Sequence, residues 1–185
     1  IETKRLDATK PRISYTGSLD LNMPDLSSYD LCNALEKLDV EFAEGVYDVN
    51  DPNDMEKYYA LRKKVLEGQD TYWLSKPLQF GYGHKHSLMI ELGKDELRTS
   101  LNFSYSNNVG IMKKSGRENL SGTFNLQYNY KNKLRFQNNA SFTQNKSEDT
   151  PYGSFSTYAV LNPYESMYDE DGLLAVQIGD RPNPF

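Results

Sequence analysis

From Asn119 to Tyr130 polar and apolar side chains alternate without a break. Leu120, Gly122, Phe124, Leu126, Tyr128 and Tyr130 form one row, and Asn119, Ser121, Thr123, Asn125, Gln127 and Asn129 the other. A period of two belongs to the β-strand, whose successive side chains leave opposite faces, and no helix sorts these residues. The same signature recurs. Ile13, Tyr15, Gly17, Leu19 and Leu21 oppose Arg12, Ser14, Thr16, Ser18, Asp20 and Asn22, while Leu88, Ile90 and Leu92 oppose Ser87, Met89 and Glu91. Leu97, Leu101, Phe103 and Tyr105 oppose Arg98, Ser100, Asn102, Ser104 and Ser106. Leu134, Phe136, Ala140 and Phe142 oppose Arg135, Gln137, Asn139, Ser141, Thr143 and Asn145, with Asn138 a polar intruder on the apolar row. Strands are therefore expected at 12–22, 84–93, 96–106, 118–130 and 133–145. Tight turns are expected at Gly93, Lys94 and Asp95 and at Lys131 and Asn132, and longer connections at 23–83, 107–117 and 146–185.

The first long connection carries helical spacing instead. Pro24 ends the first strand, Asp25 to Ser28 offer capping residues, and Leu31, Leu35, Leu38 and Phe42 then fall on one helical face, expected to be a core or partner-facing stripe. A second helix is expected from Asp54 to Leu66, with Met55, Tyr58, Tyr59, Leu61 and Val65 opposed to Glu56, Lys57, Arg62, Lys63 and Lys64. Beyond Lys146 regularity stops, and the stretch to Phe185 reads as a long loop rich in Pro, Gly, Ser, Tyr and acid.

The 185 residues carry 21 Lys+Arg and 26 Asp+Glu, a formal charge of -5, at a mean hydropathy of -0.74. No apolar run approaches the roughly 20 residues of a transmembrane helix. A membrane β-barrel is compatible with that polarity, because only alternate residues of its strands meet lipid. The single Cys32 excludes an internal disulfide, and with His84 and His86 as the only imidazoles a closed zinc site is not expected. Basic and acidic residues number 10 and 15 up to Gly83, 10 and 4 from His84 to Lys146, and 1 and 7 thereafter. That basic middle is too dilute for a nucleic-acid footprint. The start at Ile1, Glu2, Thr3 and Lys4 has no basic or apolar leader, so the ends are expected to be cut, with any export signal removed or upstream.

Three features favour a membrane wall over a small water-soluble barrel. The expected strands are long, about 10–13 residues where soluble strands average 5–6 and a tilted membrane strand needs about 9–11. Connections alternate short and long, as in outer-membrane barrels. Aromatics gather at both ends of the apolar row, Tyr128, Tyr130 and Phe136 beside the short turn and Tyr105 and Phe142 toward the long loops, as in interfacial girdles. The opposite row of Ser, Thr, Asn and Gln suits a wet lumen. Five strands cannot close, since membrane barrels start at about eight, and an open edge in lipid leaves backbone groups unpaired. The expectation is an all-β, antiparallel segment of a larger barrel.

Several short motifs then fall in a telling order. Pro11-Arg12-Ile13-Ser14-Tyr15, Pro24-Asp25-Leu26-Ser27-Ser28-Tyr29, His84-Lys85-His86-Ser87-Leu88 and Ser147-Glu148-Asp149-Thr150-Pro151-Tyr152-Gly153-Ser154-Phe155 are joined by Gly110-Ile111, Ser115-Gly116-Arg117-Glu118 and Asn162-Pro163-Tyr164. In order and spacing this set resembles the SusC/RagA-type TonB-dependent transporters of Gram-negative outer membranes, over the stretch from the first barrel strand to the third external loop. The resemblance implies a 22-stranded barrel with an N-terminal plug that lies outside this stretch, a SusD-like lipoprotein lid, outer-membrane lipid around the wall, and import of an oligosaccharide or peptide. Energy would come from the proton-motive force through TonB, without a cofactor. The resemblance carries no catalytic motif here, and an enzyme is not expected.

Candidate ligand contacts are aromatics of the external loops: Tyr72 and Trp73 in the first, and Tyr152, Phe155, Tyr158, Tyr164 and Tyr168 in the third. Flat rings with polar tips suit stacking on a sugar or gripping a peptide, though packing within the loops competes for them. Asp48, Asn50, Asp51, Asn53 and Asp54, and separately Asp169, Glu170 and Asp171, offer oxygen ligands for Ca²⁺. Neither follows the EF-hand pattern, since Pro52 falls at a ligand position. His84 and His86 share a strand face and need a third ligand to hold a metal. Gly81-Tyr82-Gly83 precedes a strand, whereas a nucleotide fingerprint follows one. The alternative function is a secreted β-rich glycan-binding module using the same aromatics; a surface adhesin would be expected to show internal repeats, which are missing.

Overall fold

The computed structural model describes residues 10–94, 96–131, 133–169 and 171–185. Asp95, Asn132 and Glu170, named above in two turns and an acidic cluster, and Ile1 to Lys4 lie outside the described residues. The chain divides into two compact units, one formed by the residues up to Met23 with Gln79–Asp149 and the other by Pro24–Leu78 with Thr150–Phe185.

The first unit is an antiparallel meander of β1 (Arg12–Asn22), β2 (Gly81–Gly93), β3 (Leu97–Val109), β4 (Gly116–Tyr130) and β5 (Leu134–Glu148), paired in sequence order. Mostly antiparallel β-structure is thus the fold class, as an open five-stranded sheet in which β1 and β5 are the edges. β1 has the bounds its alternation predicts. The other strands run further at one end, β2 starting at Gly81, β3 reaching Val109, β4 starting at Gly116 and β5 reaching Glu148. Backbone pairing continues where the side-chain pattern fades, with Asn108 opposite Arg117 and Val109 opposite Gly116. The connection expected at 107–117 therefore contracts to residues 110–115, closed by Gly110 N–H to Ser115 O at 2.9 Å and by Lys114 at φ 58. It is longer than the two hairpin ends but not a long loop.

Register carries the two rows intact across all five strands. Ile13, Ile90, Leu101, Phe124 and Ala140 are successive cross-strand partners, as are Tyr15, Leu88, Phe103, Gly122 and Phe142. The polar row is stitched by Ser87 Oγ to Ser104 Oγ at 3.2 Å and Asn125 Nδ2 to Ser100 Oγ at 3.1 Å. Of the described residues in this unit, only Gly81 and Gly83 are buried. A Cβ at Gly83 would meet Asn108 Oδ1, so that side chain would have to turn aside for any larger residue.

The second unit holds α1 (Ala34–Ala43), α2 (Pro52–Leu66), short 3₁₀ turns at Trp73–Ser75 and Phe155–Val160, and a two-residue hairpin, β6 (Gln177–Ile178) with β7 (Arg181–Pro182). α1 starts later than the sequence suggests. Asn33 is its cap, its side chain accepting from Glu36 N–H at 2.9 Å while Glu36 Oε2 accepts from Asn33 N–H at 3.0 Å, a reciprocal capping box. Asp25 instead closes its own turn on Ser27 N–H at 2.9 Å, and Leu31 lies outside the helix. Of the expected stripe only Leu38 is buried, with Leu35 and Phe42 at the surface. α2 begins at Pro52, capped by Asp51, whose side chain accepts from Asn53 N–H; proline suits a first turn whose N–H needs no helical partner. Tyr58 is its buried residue, and Tyr59 is exposed.

Two cores stabilise this unit. Ala34, Leu38, Tyr47, Tyr58 and Tyr164 form one, and Trp73, Leu74, Tyr158 and Ile178 the other. No described helix is long and apolar enough to cross a membrane.

Candidate functional site

The seven candidate aromatics all fall in the second unit, but they do not form one platform. Trp73 and Tyr158 are 3% and 1% exposed and belong to the second core, against which Tyr152 and Phe155 pack. Trp73 Nε1 donates to Asn162 O at 2.8 Å, and Tyr158 Oη donates to Tyr152 O at 2.7 Å. Burial, with the neighbouring Tyr152 second, pushes the Tyr158 hydroxyl up to about 12. Tyr164 sits in the first core with its hydroxyl on Glu41 Oε2 at 3.1 Å, and burial followed by the Glu41 charge raises its pKa far above the ordinary tyrosine value. The faces of these rings are taken up by packing. Tyr72 and Tyr168, at 42% and 54% exposed, are open at the surface.

Two concavities use them. A cavity of about 360 Å³ is walled by Tyr72, Trp73 and Tyr158 with Asp30, Asn33 and Asp70. Chain segments distant in sequence are tied together around it: Asp70 Oδ1 accepts from Ala34 N–H at 3.0 Å, and Thr71 N–H donates to Pro163 O at 2.7 Å. A wider groove is lined by Tyr164, Glu165, Tyr168 and Gly179. Burial holds the Glu165 carboxyl above the usual carboxylate range, opposed by its bonds from Asn162 and reinforced by Asp180.

Asp30 and Asp70 were not singled out by the sequence, in which they read as ordinary solvated charge. Forty residues apart, they share a wall only because residues 70–73 fold back over the start of α1.

The acidic loop 48–54 has a local use for its oxygens: Asp48 Oδ1 accepts from Asn50 N–H at 2.9 Å, and Asp54 Oδ2 from Asp48 N–H at 3.3 Å. Asp169 Oδ1 likewise accepts from Asp171 and Leu173 N–H. Among the described residues no group of three or more His, Cys, Asp and Glu is placed to hold a metal ion.

In the sheet unit the apolar face is the prominent surface, with Ile13 63%, Leu19 67%, Phe136 51% and Phe142 56% exposed. Along one line of cross-strand partners, Leu19, His84, Asn107, Glu118 and Lys146, the row is polar on four adjacent strands, and one step inward it is already polar at His86 and Gln144. One step inside that line His86 pairs with Tyr105, and Tyr15 Oη lies 2.6 Å from His86 Nδ1. The two histidine rings are 5.2 Å apart, in an aromatic cluster completed by Tyr105. At the hairpin end Tyr128 pairs with Phe136 and Tyr130 with Leu134. Compared with known proteins, the chain matches no family model and no curated sequence.

Proposed function

We propose that the sheet is a stretch of wall from a large outer-membrane transport barrel, and that the chain takes part in TonB-dependent import of an oligosaccharide or peptide with a SusD-like lipoprotein partner. The observation that carries this is the exposed apolar face that register continues across all five strands. In water, each large side chain left exposed forgoes about 1.5–3 kcal/mol of burial, and contiguous patches of this extent are rare on water-soluble monomers. In lipid the same face is the solvated one. From Leu97 to Tyr105, Leu120 to Tyr130 and Leu134 to Phe142 the apolar stretches measure about 9–11 residues, the length a tilted strand needs to cross a bilayer. Tyrosine and histidine at one margin and Tyr128, Tyr130 and Phe136 at the other match the amphipathic rings that sit at headgroup level. The hydroxyl- and amide-bearing face then lines an aqueous lumen, and the two sheet edges join further strands.

On this reading cargo meets the second unit and the polar face, and TonB acts through a plug outside these residues. The test is fractionation of expressing cells, followed by extraction and co-purification. A heat-modifiable species in the outer membrane, released only by detergent together with a lipoprotein, is the expected result. A monomer recovered from detergent-free buffer overturns it and favours a secreted glycan-binding module.

A further inference from the structure

We propose that the cavity beside Tyr72 is a binding site for a single cationic side chain, the ammonium of a lysine or the guanidinium of an arginine carried on a short peptide. The proposal does not depend on where the sheet resides.

The cavity offers apolar and anionic surface side by side at its opening, where Asp30 and Asp70 are themselves exposed. Leu31, Tyr72 and Val160, at 46%, 42% and 58% exposed, contribute carbon surface at its rim, and Asp30 and Asp70 contribute carboxylates. Its one cation, Lys37, is already engaged, with Nζ 3.2 Å from Glu41 Oε1 on the next turn of α1. Asp70 commits one oxygen to Ala34 N–H and retains the other, while no described cation pairs with Asp30. An anion is poorly served, because the Ala34 and Glu36 N–H donors at the start of α1 are taken by Asp70 and Asn33.

A long basic side chain matches both surfaces, since its aliphatic stem covers apolar surface while its head meets the carboxylates. An arginine can also lay its guanidinium on the Tyr72 ring. The volume of about 360 Å³ is at the small end of ligand sites and suits one side chain with its flanking backbone. Charge in the rest of the unit reinforces the choice: Pro24–Leu78 with Thr150–Phe185 contain 17 acidic and 7 basic residues, formally −10, against 9 and 14 in the sheet unit. That field draws cations toward the cavity and repels acidic peptides.

Trp73, the only tryptophan of the chain, lines the cavity and reports on its occupancy. The purified protein is titrated with the capped tripeptides Ala-Lys-Ala, Ala-Arg-Ala and Ala-norleucine-Ala while Trp73 emission is followed. Saturable changes with the two basic peptides, weakened by salt, and none with the norleucine peptide over the same range, are expected. Asp30→Asn and Asp70→Asn keep the shape, and the amide oxygen of the second can still accept from Ala34. Together they should weaken the basic peptides by about tenfold or more with an unchanged circular dichroism spectrum, while Lys37→Ala leaves binding in place. Equal binding of the norleucine peptide, indifference to the Asn pair, or saturation by a neutral oligosaccharide in place of the basic peptides overturns the proposal.

Discussion

The sheet unit and the helix-and-loop unit solve opposite problems with similar residues. In the second unit Leu74, Leu38 and Tyr158 are sealed into cores that water does not reach. In the sheet unit Leu19, Phe136 and Phe142 stand on an open face, and burial among the described residues is confined to two glycines. The second unit is held by side chain against side chain, the sheet by a continuous backbone ladder. Hydrophobic residues therefore mean different things in the two places: a core in one, an exposed face in the other.

The contrast breaks first at Leu74. Leu74→Ala empties a fully buried position and should cost about 2–5 kcal/mol, read as a lower unfolding midpoint in Trp73 fluorescence. A loss as small as that of an exposed leucine would show that the second unit has no real core. Next is a pair on adjacent residues of β4. Phe124→Arg on the apolar row should cost about 2–4 kcal/mol in bilayers, measured by urea titration of the heat-modifiable folded form, whereas Asn125→Arg on the polar row should stay within about 0.5 kcal/mol. Equal effects would mean that the two faces meet the same medium.

Smaller effects sharpen the picture inside the second unit. Tyr158→Phe leaves the Tyr152 carbonyl without its 2.7 Å donor and should cost about 1 kcal/mol. The same hydroxyl gives a pH signature, because its pKa is raised by burial to about 12, against about 10 in an unfolded chain. The folded state holds that proton more tightly, so its contribution to stability is whole below pH 10 and is lost as pH rises to about 12. Absorbance at 295 nm should show Tyr158 ionising after the exposed tyrosines, with unfolding following in that window; ionisation near pH 10 without unfolding would place the ring in water. Smallest is the helix cap: Asn33→Ala should cost about 1 kcal/mol and Asp25→Ala about 0.5 kcal/mol or less, measured by thermal melting. The reverse order would restore the earlier helix start.

The strands were legible because a long period-two pattern is a local property. From β2 to β5 each strand pairs with the next across a short connection, whereas β1 meets β2 only across the intervening segment Pro24–Leu78. The overshoot at Gly81, Asn108, Val109 and Glu148 was not legible. Glycines and polar residues carry no alternation, yet their backbones pair as readily as any others. The start of α1 misled for a related reason: Leu31 fits the helical spacing, but the reciprocal bonds of Asn33 and Glu36 decide where the first turn begins.

For the candidate site the division is sharper. Sequence alone pointed to aromatic residues in two loops, because rings amid polar turn residues stand out. It could not separate Tyr72, open at a cavity mouth, from Trp73 beside it, whose indole is spent on Asn162 and the core. Nor could it bring Asp30 to Asp70. Alternation and the uneven distribution of charge were determined by the sequence itself, since each follows from neighbours along the chain. Which aromatics are buried, which carboxylates remain unpaired and which strand lies beside which were decided by the tertiary structure, because burial and register depend on partners that chain distance does not specify.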